Sequence, residues 1–431
     1  MAVAWMGRSG PVTHGGGSTA PEGDSFAGPP GGGPDARRPA ADGDPPLPAT
    51  VRALGWTSFL TDLSSEAIYP LLSPFIRGLG GTSIDIGLVD GIANAVAAVV
   101  RLPSGAISDT LGRRPLVLAG YGLSAVVRPL MGLVTSPAGA ILVRAIDRCG
   151  KGMRSAPRDA LVADLVEPAI RGRAFGHIRA MDHAGAALGP LVAAAFLWIW
   201  PGAERRLFLL AIVPGLVTLA FIWRRVHDAP RRTPVAPRTK LAPRLSASQA
   251  WLLAGVGVWS LGAASEQFLL MRATDLGVPE WLVPLVWLAI NLAKSRSAAV
   301  AGRLADRWHP RGMLVAGWLV FAAAYAGLAA SSHAAAAVAC MLVVGVAYGL
   351  AEPAERALVS LLAPAGGHGG AFGWYTLVQG LMALPAGLLA GWLWQRGDFG
   401  PSWSFATTAI LAAAACGLVL AGGRPSRDAP A

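Results

Sequence analysis

Gly105-Ala-Ile-Ser-Asp109-Thr-Leu-Gly112-Arg113-Arg114 is a short polar stretch with an apolar run on either side. Residues 86–107 precede and overlap it, and 115–134 follow it. Each run is about 20 residues long, enough for a helix to cross ~30 Å of hydrocarbon. The G-x-x-x-D pattern returns 197 residues later at Gly302-Arg-Leu-Ala-Asp306-Arg307. Ala160-Leu161-Val162 with Ala357-Leu358-Val359 keeps the same offset, as does Ala174-Phe175-Gly176 with Ala371-Phe372-Gly373. Ser65-Glu66 and Ser265-Glu266 lie 200 apart. Matches sharing one offset mark an internal repeat. The stretch is therefore a loop between two membrane helices in a chain built twice over.

The rest of the chain follows this lead. Hydrophobic residues make up 53% and charged residues 14%, and mean hydropathy is +0.49. A water-facing surface needs roughly 25% charged residues, so the expected solvent is a bilayer. Apolar runs recur at 53–76, 86–107, 115–134, 138–160, 173–198, 206–224, 250–271, 281–301, 312–330, 334–358, 371–394 and 402–421. These predict an all-α polytopic membrane protein with twelve transmembrane helices in two six-helix halves, 51–223 and 250–421. Residues 224–249 form the expected linker and 422–431 a short tail. Pro70, Pro103, Pro190 and Pro385 fall inside spans, where membrane helices tolerate them. Residues 1–50, rich in Gly, Pro, Asp and Ala, read as a disordered tail or as the product of a misplaced start codon.

Lys and Arg set the orientation. With the N-terminus in the cytoplasm, sixteen basic residues (Arg113 and Arg114 among them) fall in inside loops and the C-terminal tail, against five outside. Both termini are thus expected in the cytoplasm, in a multi-pass inner-membrane protein. The same scatter explains the net charge of +11: basic residues spread over many loops are topology signals, whereas a nucleic-acid site clusters them on one face. Cys149, Cys340 and Cys416 sit in apolar runs and build no metal site. No GxxxxGK[ST], HExxH or GxSxG occurs, so neither ATP-driven transport nor an enzyme is expected. No cofactor or metal is expected either.

The chain resembles the major facilitator superfamily over residues 51–421. Gly105-x-x-x-Asp109-x-x-Gly112-Arg113-Arg114 is similar to the family's signature loop, with a degenerate copy at Gly302, Asp306 and Arg307. Arg144 followed by Gly150 resembles its span-four pattern, with Asp147 and Arg148 in place of Gln and Gly. Gly185-x-x-x-Gly189-Pro190 resembles the span-five motif of its proton-coupled drug and metabolite antiporters, although Ala193-Ala194 replaces the following glycine pair. The resemblance implies alternating access by two rocking halves. Gly105, Asp109, Gly112, Arg113, Arg114 and Asp306 would then act as the latch, and Gly185, Gly189 and Pro190 as close packing or a leak barrier. It implies a monomer in the lipid bilayer, a small-molecule substrate and protons as the energy source, with efflux favoured. Uptake or exchange of an organic anion or metal-chelating metabolite stays open, as does a non-transporting sensor.

Span four carries the densest charge. At about 100° per residue, Arg144, Asp147, Arg148, Lys151, Arg154, Arg158 and Asp159 share an arc of about 140°. A lipid-facing charge near the helix centre costs about 2.5–3.5 kcal/mol or more, so this face must look into protein or a watery cavity. Tyr69, Asn94, Arg101, Asp147, Arg148, Lys151, Glu266, Gln267 and Asn291 are candidate cavity residues. Asp62, Glu66, Arg144 and Asp182 are candidates for proton coupling, with Glu66 expected to pair alternately with Arg144 or Arg148. For each the alternative is a fixed ion pair.

Overall fold

The computed structural model describes residues 46–167, 170–228, 245–263, 265–305, 309–363 and 368–422. It falls into two units, Met1–Pro46 and Leu47–Ala431; everything below concerns the second. Residues 1–45, 229–244 and 423–431 and Asp306 lie outside the described residues.

Among the described residues the structure is helical and makes twelve passes. The first is α1 (Ala49–Ile68), a 3-10 turn Tyr69–Leu71 and α2 (Leu72–Gly78). Then come α3 (Ser83–Leu111), α4 (Arg113–Val127) with the 3-10 turn Arg128–Leu133, α5 (Pro137–Leu165) and α6 (Arg171–Ile199). α7 (Glu204–Leu210) and α8 (Ile212–Arg225) make the sixth pass, and α9 (Ala247–Gly262) with α10 (Gln267–Asp275) the seventh. α11 (Val283–Ala305), α12 (Pro310–Ala330), α13 (Ala334–Leu361), α14 (His368–Trp394) and α15 (Gly400–Ala421) complete the bundle. Eight of these segments are long and apolar enough to cross a membrane by composition alone. The other four are broken (the first and seventh) or carry charges (α5, α11), and there the polar chemistry collects.

Local sequence sets the boundaries. Thr82 accepts the N–H of Asp85 while the Asp85 carboxylate accepts the N–H of Thr82, a closed capping box at the start of α3. Ser246 and Gln249 do the same for α9. Gly112 separates α3 from α4 at φ +98°, a conformation that disfavours any side chain. Pro70 and Pro129 lack an N–H, and each sits where a span tightens into a 3-10 turn. Several helices outrun their apolar cores: α5 continues to Leu165, beyond the expected end at 160, because its last turns are amphipathic.

The halves touch most extensively through α3 on α14 and α6 on α11, with further contacts of α10 on α2 and α3 and of α11 on the Tyr69–Leu71 turn. At Gly87 and Gly387 backbone meets backbone, and a side chain on either would collide with the other. This close approach lies at the end of the bundle opposite Gly112.

Candidate functional site

Two kinds of charge line the interior of the first half. The deeper kind is paired. Arg128 Nη2 donates to Asp147 Oδ1 at 3.1 Å, and its Nη1 donates to the Thr61 carbonyl and to Ser64 Oγ, each at 2.9 Å. Arg144 lies 3.4 Å from Asp90 and 4.0 Å from Asp147, with its guanidinium 5.2 Å from the centre of the Tyr69 ring. The Asp90 carboxylate also accepts from Tyr69 Oη at 2.9 Å and, across the halves, from Ser265 Oγ at 2.6 Å. Glu66, expected to pair alternately with Arg144 or Arg148, touches neither in this state: Asp90 holds Arg144, because α3 packs along α5 at this level, while Glu66 accepts the indole N–H of Trp287, from the other half, at 2.8 Å.

These contacts belong to a seal at the end opposite Gly112. Gln267 Nε2 donates to the Tyr69 carbonyl at 2.8 Å, and Gln267 Oε1 accepts the Ser73 N–H at 3.1 Å. Tyr69 and Trp287 pack with ring centres 4.9 Å apart, and Trp198 meets Trp281 at 4.7 Å. Arg77 pairs with Asp275 at 2.5 Å on the rim.

On the Gly112 side of the seal lies a cavity of about 410 Å³, within the usual range for a small-molecule site. From the first half Asn94 and Arg101 of α3 and Arg148, Lys151 and Ser155 of α5 line it. Arg101, Arg148 and Lys151 form no ion pair among the described residues, and Arg148 Nε is buried without a hydrogen-bond partner. Like charges on successive turns of one helix, about 6 Å apart, repel by roughly 3 kcal/mol at an effective dielectric constant of about 20. Asp62, Glu66 and Asp90 lie within electrostatic reach of this pair, but none of them is on the wall.

The facing wall is neutralised. Glu352 of α13 lies 2.9 Å from Arg356 and 3.9 Å from Lys294 of α11. Lys294 also stands 4.9 Å from the Tyr348 ring centre. Glu355 is 2% exposed and accepts from Trp318 Nε1 at 3.0 Å, Tyr375 Oη at 2.6 Å and Gln379 Nε2 at 3.3 Å. Trp259 and Ser260 of α9 and Thr376 of α14 complete this side.

Of the residues the sequence singled out, Asn94, Arg101, Arg148 and Lys151 thus meet on one wall. Tyr69, Asp147, Glu266, Gln267 and Asn291 are not on it in this conformation. Tyr69 and Gln267 belong to the seal and Asp147 to the buried pairs; Asn291 donates to the Trp287 carbonyl at 3.1 Å in its own helix. Asp182 lies 3.7 Å from Arg158. Asp62 forms no ion pair among the described residues and has Asp182, Lys151, Glu66 and Arg154 as charged neighbours. Asp109 pairs with Arg113, which also reaches Asp164 at 3.4 Å and Ser108 Oγ at 2.5 Å; Arg114 donates from its backbone to Asp228 at 2.7 Å. Asp164 and Ser108 lie in the first half and Asp228 in the linker, so none of these partners comes from the second half. Gly185 and Gly189 sit so close to α1 that a side chain would strike its backbone at Phe59, Leu63 and Ala67.

Sequence reasoning passed over Arg128, Trp259, Tyr348, Tyr375 and Gln379. A face signal existed for part of this set. Tyr348, Glu352 and Glu355 follow i, i+4, i+7 on α13, and Tyr375 and Gln379 follow i, i+4 on α14.

The sequence profile of the Major Facilitator Superfamily matches residues 54–387. The chain belongs to this family of membrane transporters, which are not enzymes. It is similar to an uncharacterized MFS-type transporter of Methanocaldococcus jannaschii, 30% identical over 379 residues, covering 86% of this chain and 94% of that one. It is 26% identical over 368 residues to the multidrug resistance protein MdtH of Cronobacter sakazakii, covering 80% of this chain and 88% of that one. Its fold matches the crystal structure of a bacterial homolog of the human lysosomal transporter Spinster, in an inward-facing and occupied conformation, with a TM-score of 0.70 at 16% identity over 86% of this chain and 96% of that one.

Proposed function

We propose that the chain exports a small organic molecule from the cytoplasm in exchange for protons, by rocking its two halves around the central cavity. The observation that carries this reading is the asymmetry of the interface. The halves are tied through Asp90–Ser265, Glu66–Trp287 and Arg77–Asp275 at one end. The cavity reaches toward the other end, where Arg101 and Arg356 are exposed. Placing the basic loops in the cytoplasm makes this the inward-facing state. The likeness to MdtH supports export, and so does the Gly185–Gly189–Pro190 motif, which holds α6 tightly against α1 beside Glu66. A tight fit there stops water and protons from slipping past as the halves move.

Protons would enter through carboxylates that are not locked to a cation. Asp62 and Glu66 fit that description: neither forms an ion pair among the described residues, and Glu66 exchanges contacts when its tie to Trp287 breaks. Asp182, held by Arg158, fits less well. The Asp109–Arg113 cluster would act as the latch that meets the second half once the cytoplasmic side closes.

The test is flux in proteoliposomes with and without an imposed pH gradient. Wild type should accelerate with the gradient, and Glu66→Gln and Asp62→Asn should lose most of that response while exchange without a gradient persists. A gradient response that survives both substitutions together would sink the coupling role of this pair.

A further inference from the structure

We infer that the cavity takes a small organic anion bearing at least two negative charges, with its acidic end on Arg148 and Lys151 and its apolar body against Trp259 and Tyr348. This rests on the reading of the chain as a transporter and does not depend on proton coupling.

Charge accounting across the cavity carries the argument. The first-half wall holds three cations and no acid: Arg101, Arg148 and Lys151. Among the described residues none of the three forms an ion pair or a side-chain hydrogen bond, although the rest of α5 is fully engaged. Arg144 has Asp90, Asp147 has Arg128, Arg154 donates to Ser124 Oγ at 2.8 Å, and Arg158 has Asp159 and Asp182. Arg148 and Lys151 are three residues apart on one helix face, so their charges reinforce each other over the same patch. Arg148 is half-buried and Lys151 is exposed on the cavity surface, and two cations left open onto a cavity are a place where an anion gains charge-assisted hydrogen bonds.

The opposite wall says what the ligand is not. Glu352 is shared by Lys294 and Arg356, and Glu355 is already ringed by three neutral donors. This wall offers no free carboxylate, so a cationic ligand would face Arg101, Arg148 and Lys151 with no acidic partner on the cavity lining, Asp62, Glu66 and Asp90 standing behind it. What this wall does offer is aromatic surface. Trp259 and Tyr348 meet edge to face with ring centres 5.6 Å apart, and both line the cavity. A volume of about 410 Å³ admits a one- or two-ring molecule.

The experiment uses the full-length chain in detergent and three probes on one ring system: naphthalene-2,6-dicarboxylate, its dimethyl ester, and a naphthyl-trimethylammonium ion. Binding is read by tryptophan fluorescence and calorimetry. The dicarboxylate should bind at least tenfold more tightly than the ester, and the ammonium probe should not bind measurably. Arg148→Gln and Lys151→Gln should each weaken dicarboxylate binding at least tenfold, and Arg148→Lys, which keeps the charge, by much less. Equal binding of dicarboxylate and ester, or preference for the ammonium ion, overturns the inference. So does an unchanged preference in both Gln variants. The probe series on wild type decides the matter even if a variant fails to fold. Dicarboxylate binding without a response of flux to a pH gradient supports this inference and counts against proton coupling alone.

Discussion

Both walls of the cavity carry basic residues, and they treat those charges in opposite ways. On one wall Glu352 serves both lining cations, Lys294 of α11 and Arg356 of α13. On α5 and α3 the matching is done behind the wall, by Asp90, Asp147 and Arg128, and the surface cations are left over. The difference teaches that the number of charges in a membrane helix says little about their role. What matters is whether each one's partner lies within the protein. A paired charge holds helices together; an unpaired one on a cavity is available to something that arrives.

The sharpest way to break this contrast is to convert a paired charge into an unpaired one. Asp147→Asn removes the only carboxylate that Arg128 touches among the described residues, in a site where the two side chains are 9% and 6% exposed. Breaking a buried ion pair from one side costs about 3–5 kcal/mol. The variant should therefore melt at markedly lower temperature in detergent, and poorly folded protein should accumulate. A melting temperature within a degree or two of wild type would show that the deep pairs are no more structural than the cavity cations.

A gentler change sharpens the comparison from the other side. Glu352→Gln frees Lys294 and Arg356 and makes the second wall resemble the first. Glu352 is partly exposed and its pairs are worth about 1 kcal/mol or less, so thermal stability should barely move. Affinity for a dianionic probe should rise several-fold, measured by the same titration as for wild type. A fall in affinity would mean that Glu352 contacts the ligand directly, and the division of labour between the walls would have to be redrawn.

Much of this architecture was legible in the sequence. Twelve apolar runs, the 197-residue repeat and the loop glycine at 112 place every pass, because hydrocarbon thickness and helical rise leave little choice. The charged arc of α5 was legible too, since seven charges on one face cannot look at lipid. Which of them would be paired was not. Helical spacing fixes direction around one helix but not the depth or identity of the neighbour across the gap. So the sequence offers Arg144 or Arg148 as alternating partners of Glu66 without showing that in this state Asp90, one helix over, holds Arg144. Arg128 stands inside the apolar run 115–134 as its one charge, and nothing on its own helix shows that Asp147 and the Thr61 carbonyl lie across the gap to receive it. The second wall depends on Trp259, Tyr348, Tyr375 and Gln379, which come from α9 and from the consecutive helices α13 and α14 and resemble core residues one by one.

The central claim is that one cavity is reached from alternate ends as the halves rock, with the seal near Gly87 and Gly387 holding the present state. It is tested most directly by distances between spin labels in a background without the native cysteines. One pair, at Ala203 and Glu280, spans the halves at the sealed end; another, at Thr110 and Leu361, spans them at the Gly112 end. Gly87→Leu drives a side chain into the Gly387 backbone and should force the seal apart. The account predicts opposite movements: the first distance lengthens and the second shortens. If both distances grow together, or neither changes in folded protein, the halves do not rock about the cavity and the claim is wrong.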